Sequence, residues 1–392
     1  MRSWPVLCLF GALLAPASAQ TTFFVGPGSI PEIRDALQIA NPGDLIIVQG
    51  GTYAHFTATI GVTIRALTPG TVSVTWQPQF VAPACLTNPQ CLATEGATVL
   101  APAPGQSLHV IGIDFLPNVW VGPAVVRHCV AASGRVTLDQ CSMQATGATA
   151  LWALGGTLHL QDCAVAALGA AATGHGLVAI NSYVTAINSA IGGNGAATPG
   201  DGAWLIGSTL QGSMLQCLGG ASPQGSGAPA LRADANSRIW ISDSFLIATN
   251  QCPVVAPLAT GNITRTTQSP GSAGCTTLPP GPLLGVDRPA PPQGGSPFML
   301  RFRGDPQNLV VILVDPDLGT FPAPGIVDQP LSLGLVNSFI AGAWLTDSNG
   351  ALSVSWTMPN GAPFVGRPLW FQAAGGVAFP FQVTPLAGGV LR

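Results

Sequence analysis

Few side chains in this sequence can carry a proton, and two that can fall in successive copies of one short motif. Asp139 lies in Val136-Thr-Leu-Asp-Gln-Cys141 and His159 in Leu158-His-Leu-Gln-Asp-Cys163, with Arg135 just ahead of the first copy. An imidazole oriented by a carboxylate is a competent general base, and a neighbouring guanidinium steadies a developing anion. Asp139, His159 and Arg135 are therefore the candidate catalytic set. The competing reading is that they are polar side chains decorating an exposed strand.

Other chemistry is thinly supplied. The chain has only two glutamates, Glu32 and Glu95, so a pair of opposed carboxyl groups must come from aspartates. Asp162, Asp201, Asp234 and Asp243 are too scattered to nominate a pair. Asp315-Pro-Asp317 reads as a capped turn in preference to a calcium loop. No Cys-x-x-Cys occurs, and His175 stands among glycines, so neither a metal site nor a cofactor is expected. Trp152 and Trp240 are expected to project outward, where an indole can stack on a sugar ring. Trp204 falls at an inward position, and Trp356 and Trp370 are assigned to the core of a later domain.

The elements that must position these residues are repeats. Val184-Thr-Ala-Ile-Asn-Ser189 and Ile239-Trp-Ile-Ser-Asp-Ser244 continue the series, with a degenerate copy at Ser208-Thr-Leu-Gln-Gly-Ser213. The closing residues then fall at steps of 22, 26, 24 and 31. Periods of this size mark solenoids, whose repeats bury their apolar edges only against neighbours. By period 2, Val136, Leu138, Leu158, Leu160, Ile239 and Ile241 point inward, and Thr137, His159, Thr185 and Trp240 outward. A second strand precedes each copy, at 150–154, 176–180, 203–206 and 230–233.

Residues 1–19 read as a signal peptide, with Arg2, an apolar stretch and Ala17-Ser-Ala19 before cleavage. The rest is rich in glycine (49 in all) and proline (36), only 7% charged, and without lysine. A net charge of −3 gives no basic stripe for nucleic acid, and after the signal no apolar run is long enough to span a membrane. Export makes the remaining cysteines disulfide candidates. Cys85 with Cys91, and Cys252 with Cys275, bracket irregular stretches. Cys141 and Cys163, at equivalent places in stacked repeats, are either a disulfide or a buried thiol ladder.

The segment Ser29–Ile64 has landmarks in Ile33-x-x-Ala36-Leu37-x-x-Ala40, Pro42-Gly-Asp44, Gly51-Thr-Tyr53 and Gly61-Val-Thr-Ile64. In these it resembles the opening of right-handed parallel β-helix proteins of the pectate-lyase-like kind. Ser29 and Glu32 read as a capping box for a helix that lids the open end. The resemblance covers roughly residues 22–260, and a parallel β-helix is expected over 20–275. It brings no familiar active site. The Gly-Asp-Asp element of the polygalacturonases is reduced to Gly200-Asp-Gly202, their Arg-Ile-Lys to Arg238-Ile-Trp240, and the pectate-lyase calcium cluster has no counterpart.

Prolines and glycines across 276–297 read as a linker. Strands at 298–302, 309–314, 351–356 and 368–372, with a hairpin-type turn at Asp347-Ser-Asn-Gly350, then describe a β-sandwich over 298–392. It resembles the C-terminal domain found on secreted planctomycete and myxobacterial proteins. The whole is expected to be all-β: a capped parallel β-helix followed by a small antiparallel sandwich. The leading functional reading is a secreted or cell-surface protein without catalysis that presents a face to a polysaccharide or cell-surface glycan. A polysaccharide lyase or glycoside hydrolase with a non-standard site is the alternative, and a structural spacer of the envelope the third.

Overall fold

The computed structural model describes residues 20–75, 98–116, 128–146, 149–169, 173–269, 275, 278–281, 283–321, 323–333, 338–358, 360 and 365–392. The expected signal peptide and the Cys85–Cys91 pair lie outside them. The described chain divides into two compact units, one over Thr22–Gly281 and one beginning at Pro282.

The first unit is a parallel β-helix of three sheets, with ten, nine and eight strands. Sheet A stacks Arg135–Asp139, Thr157–Gln161, Tyr183–Ile187, Thr209–Ser213 and Arg238–Ser242, among others. Sheet B follows each of these around one corner, and sheet C stacks Thr149–Leu154, Leu177–Ile180, Ala203–Ile206 and Leu231–Ala233. Val136, Leu138, Leu158, Leu160, Ile239 and Ile241 all enter one continuous core. Each such side chain contributes about 1.5–3 kcal/mol by leaving water.

The register corrects one copy of the repeat. Ser213 pairs with Ile187 and Ser242, so the corner residue of that rung is Leu215, and the copy runs Leu210–Leu215. The corners then lie at Cys141, Cys163, Ser189, Leu215 and Ser244, with steps of 22, 26, 26 and 29. Gly212 at the inward position disguised the copy. A Cβ there would stand 3.2 Å from the Leu215 side chain and 3.5 Å from Ile241, so Leu215 fills the space a larger residue would take.

Hydroxyls knit the corners. Ser189 Oγ accepts the Cys163 N–H at 3.1 Å and Ser244 Oγ the Leu215 N–H at 2.9 Å, each donating back to a carbonyl of its own chain. A second row lies between sheets C and A, where Ser208 Oγ accepts the Ser182 N–H and Ser237 Oγ the Ser208 N–H, Ser182 and Ser208 donating back to carbonyls and Ser237 to Asp234 Oδ1. The residue before each A-to-B corner has positive φ: Gln140, Asp162, Asn188, Met214 and Asp243 all lie between 46° and 54°.

A seven-residue helix, Ile33–Ile39, covers the amino-terminal end, with Ile33 and Ala36 in the core. The capping box does not form. Ser29 Oγ donates to the Gly26 carbonyl and Glu32 accepts the Ala54 N–H at 3.1 Å, so Glu32 ties the lid to the first coil.

In the second unit, the stretch expected as a linker contributes a strand, Gly285–Asp287, paired with Pro297–Arg303. That sheet is completed by Ala351–Thr357, a larger one is built on Leu309–Asp315, Phe339–Leu345 and Pro368–Gly376, and a two-stranded ribbon pairs Leu318–Phe321 with Leu331–Leu333. Phe371 packs on Phe298 and Trp356 at 5.2 and 5.1 Å, joining the two sheets, and Trp370 is fully buried. The Asp347–Gly350 turn is present, with Asp347 Oδ1 accepting the N–H groups of Asn349 and Ala351. It is no hairpin, because the strands it joins belong to different sheets.

Candidate functional site

The sheet A candidates point away from the helix core yet are not solvent-facing. Thr63, His109, Thr137, His159, Thr185, Gln211, Trp240 and Asn262 form one axial row. His159 is 0% exposed, Asp139 2% and Trp240 9%. His159 Nδ1 lies 2.5 Å from Thr185 Oγ1 and its Nε2 3.3 Å from Gln161 Oε1. Asp139 is in register with Gln161, not with His159. Arg135 stands four residues up the strand from Asp139, about 13 Å at the usual rise. Burial, with the neighbouring His159 imidazole adding to it, pushes the His109 imidazole down to about 4. This face is a buried polar lattice, and the outward indole expected at Trp240 is covered.

The corner cysteines are free thiols. Cys141 Sγ reaches the carbonyls of Val110 and Asp139 at 3.4 Å, and Cys163 Sγ those of Leu138 and Gln161 at 3.2 Å. In-register parallel strands aim equivalent Cβ vectors in the same direction, which is wrong for a bridge. Burial holds the Cys163 thiol well above its ordinary range. Cys252 and Cys275 are joined in a disulfide.

Sheet C carries the less covered side chains, with Trp152, Trp204 and Arg232 partly exposed and Ala131 and Val178 buried. Its outward row runs Val99, Ala131, Trp152, Val178, Trp204, Arg232 and Val255. Trp152 is half-buried as an outward residue. Trp204, expected in the core, shares that row two strands further along, about 10 Å away. Arg232 is the next residue in line. Its Nε and Nη2 hold the two oxygens of Asp201 at 2.8 and 3.1 Å.

His175 is not isolated among its glycines. Its ring lies 5.2 Å from the Trp204 indole, and its Nδ1 accepts the Asp201 N–H at 3.0 Å. The same nitrogen is 3.3 Å from Asp201 Oδ2. The two contacts make opposite demands, a lone pair and a proton. The shorter one is met by the neutral ring with its proton on Nε2. Burial opposes ionisation of Asp201, but the hydrogen bonds and charge of Arg232 outweigh it and hold the carboxyl below its usual range, with His175 adding to this only when its Nδ1 carries a proton.

Tight glycine turns bring these residues together. Gly174 N–H donates to Asn194 Oδ1 at 2.9 Å, Gly200 N–H to the Asn194 carbonyl, and Gly220 N–H to the Gly200 carbonyl. A Cβ on Gly200 would lie 1.9 Å from the Gly174 carbonyl oxygen, so only glycine permits this stacking. Among the described residues no group of three or more His, Cys, Asp and Glu side chains is placed to hold a metal ion. No helix among them is long and apolar enough to cross a membrane.

No protein-family model and no curated protein matches the sequence. Among solved structures, the pectin methylesterase PemA from Erwinia chrysanthemi is similar in fold. It shares 8% identity over 67% of this chain and 93% of its own, with a TM-score of 0.38. At that level no residue of one chain is informative about the chemistry of the other.

Proposed function

We propose that this chain is a secreted or cell-surface β-helix protein that holds a glycan, without turning it over, on the outward face of sheet C. One observation carries the reading: the axial line Trp152–Val178–Trp204–Arg232, with His175 against Trp204. Indole faces stack on sugar rings, and fixed donors orient hydroxyl groups. The guanidinium and the imidazole are both fixed, through Asp201. In the same reading residues 1–19 direct export and residues 298–392 are an accessory module of the planctomycete and myxobacterial type.

A lyase or hydrolase working through Asp139, His159 and Arg135 has less behind it. Two of those side chains are buried, and the third is separated from them along the strand. A spacer role has no observation of its own in support.

The test is to offer the purified protein a panel of polysaccharides while following retention, reducing ends and the absorbance of unsaturated products. Retention without turnover is expected, weakened about tenfold or more in Trp204→Ala, a loss of roughly 1.4 kcal/mol. Turnover abolished by His159→Ala would sink the non-catalytic reading. Retention indifferent to Trp204→Ala would remove the site from sheet C.

A further inference from the structure

We infer that the ligand of the sheet C face is a neutral glycan, not an acidic one, and that its chain lies along the helix axis. The inference rests on the glycan-face reading above and adds the ligand class and its direction.

The charge count decides the class. Arg232 is the sole cation of the outward row, and Asp201 already engages its Nε and Nη2. The side chain of Asp201 is 3% exposed against 43% for Arg232, so the carboxylate is a buried counter-ion while the guanidinium reaches outward. What Arg232 still offers is hydrogen-bond donors, chiefly on Nη1, on a cation whose charge is matched. His175, neutral with Nδ1 engaged, offers Nε2–H beside the Trp204 ring.

Asp234, at the end of the strand that carries Arg232, adds a second carboxylate. It is held ionised by the Ser237 hydroxyl and the Gly207 N–H. Two aspartates and one arginine leave the cluster formally negative. A uronate or sulfate would meet like charge with no unmatched cation to compensate it. Hydroxyl and ring oxygens of an uncharged sugar need only what the site has, which is donors and stacking surface.

The row fixes the direction. Trp152, Val178 and Trp204 succeed one another across strands, so the line through the two indoles runs along the helix axis. Two strand spacings are about 10 Å, near the length of two sugar units in an extended chain.

Affinity electrophoresis tests this with hydroxyethyl cellulose, xyloglucan and galactomannan against polygalacturonate and alginate, in low and high salt. Retardation by at least one neutral polymer is expected, changing less than about twofold with salt because the polymer carries no charge for salt to screen. Trp152→Ala should weaken binding of longer neutral oligosaccharides about tenfold while sparing disaccharides, since the second indole lies two sugars away. Strongest retardation by an acidic polymer, collapsing in salt, would overturn the ligand class and leave the face standing. Equal loss for short and long sugars in Trp152→Ala would overturn the axial direction. No retardation by any polymer would overturn the inference and the glycan-face reading together.

Discussion

The outward faces of sheets A and C follow the same alternation and end in opposite conditions. On sheet A the row from His109 through His159 to Gln211 is buried, and His159 meets Thr185 and Gln161 there. On sheet C the row from Trp152 to Arg232 keeps an indole and a guanidinium partly in solvent, with the aspartate that fixes the guanidinium buried behind it. Strand periodicity says which way a side chain points. It does not say what lies over it. Polar residues on an outward row are therefore poor indicators of a site unless burial is also known.

Acid exposes the contrast most strongly. His109 is fully buried with its pKa near 4, against 6.5 in an unfolded chain. A depressed histidine contributes its full stability above the unfolded value and loses it as pH falls from 6.5 toward 4. The shift corresponds to about 3 kcal/mol. Urea midpoints of native protein and His109→Gln, compared at pH 7 and pH 4.5, should show a steeper acid loss in the native chain. Equal slopes would remove His109 from the account. Asp201 acts at lower pH, because its depressed carboxyl gives stability that disappears only as pH falls through its folded value.

Next in size is Arg232→Ala, which leaves the Asp201 carboxylate buried without its guanidinium. A loss of about 1–3 kcal/mol is expected, because the pair is partly in water, with partial recovery in Arg232→Lys. Chemical denaturation measures it, and an unchanged midpoint would mean Asp201 does not rely on Arg232. The smallest effect belongs to the frame both faces share. Ser244→Ala orphans the Leu215 N–H and should cost about 1 kcal/mol with no effect on binding. A change in glycan retention there would mean the corners do more than hold the coils.

Much of the fold was legible because it is periodic. The inward Val136, Leu138, Leu158 and Leu160, the amino-terminal lid, the Cys252–Cys275 bridge and most sandwich strands follow from local pattern. The degenerate rung was misread because Gly212 is a core position filled by Leu215 from further along the chain. The sheet C cluster of His175, Asp201, Trp204 and Arg232 was hidden for a related reason. His175 and Asp201 are 26 residues apart and meet only through the glycine turns. A signal was present nonetheless. Trp152, Val178, Trp204 and Arg232 recur at steps of 26, 26 and 28, the period of the coils, so aligning the rungs by register would have put both indoles and the arginine in one line.

We place binding on sheet C, not on sheet A. Retardation of the native protein, Trp204→Ala and His159→Ala by the same neutral polysaccharide tests it most directly, with native circular dichroism required of each variant. Trp204→Ala is expected to lose about tenfold or more in affinity while His159→Ala binds as the native chain does. Loss of binding in His159→Ala with Trp204→Ala unaffected would contradict it.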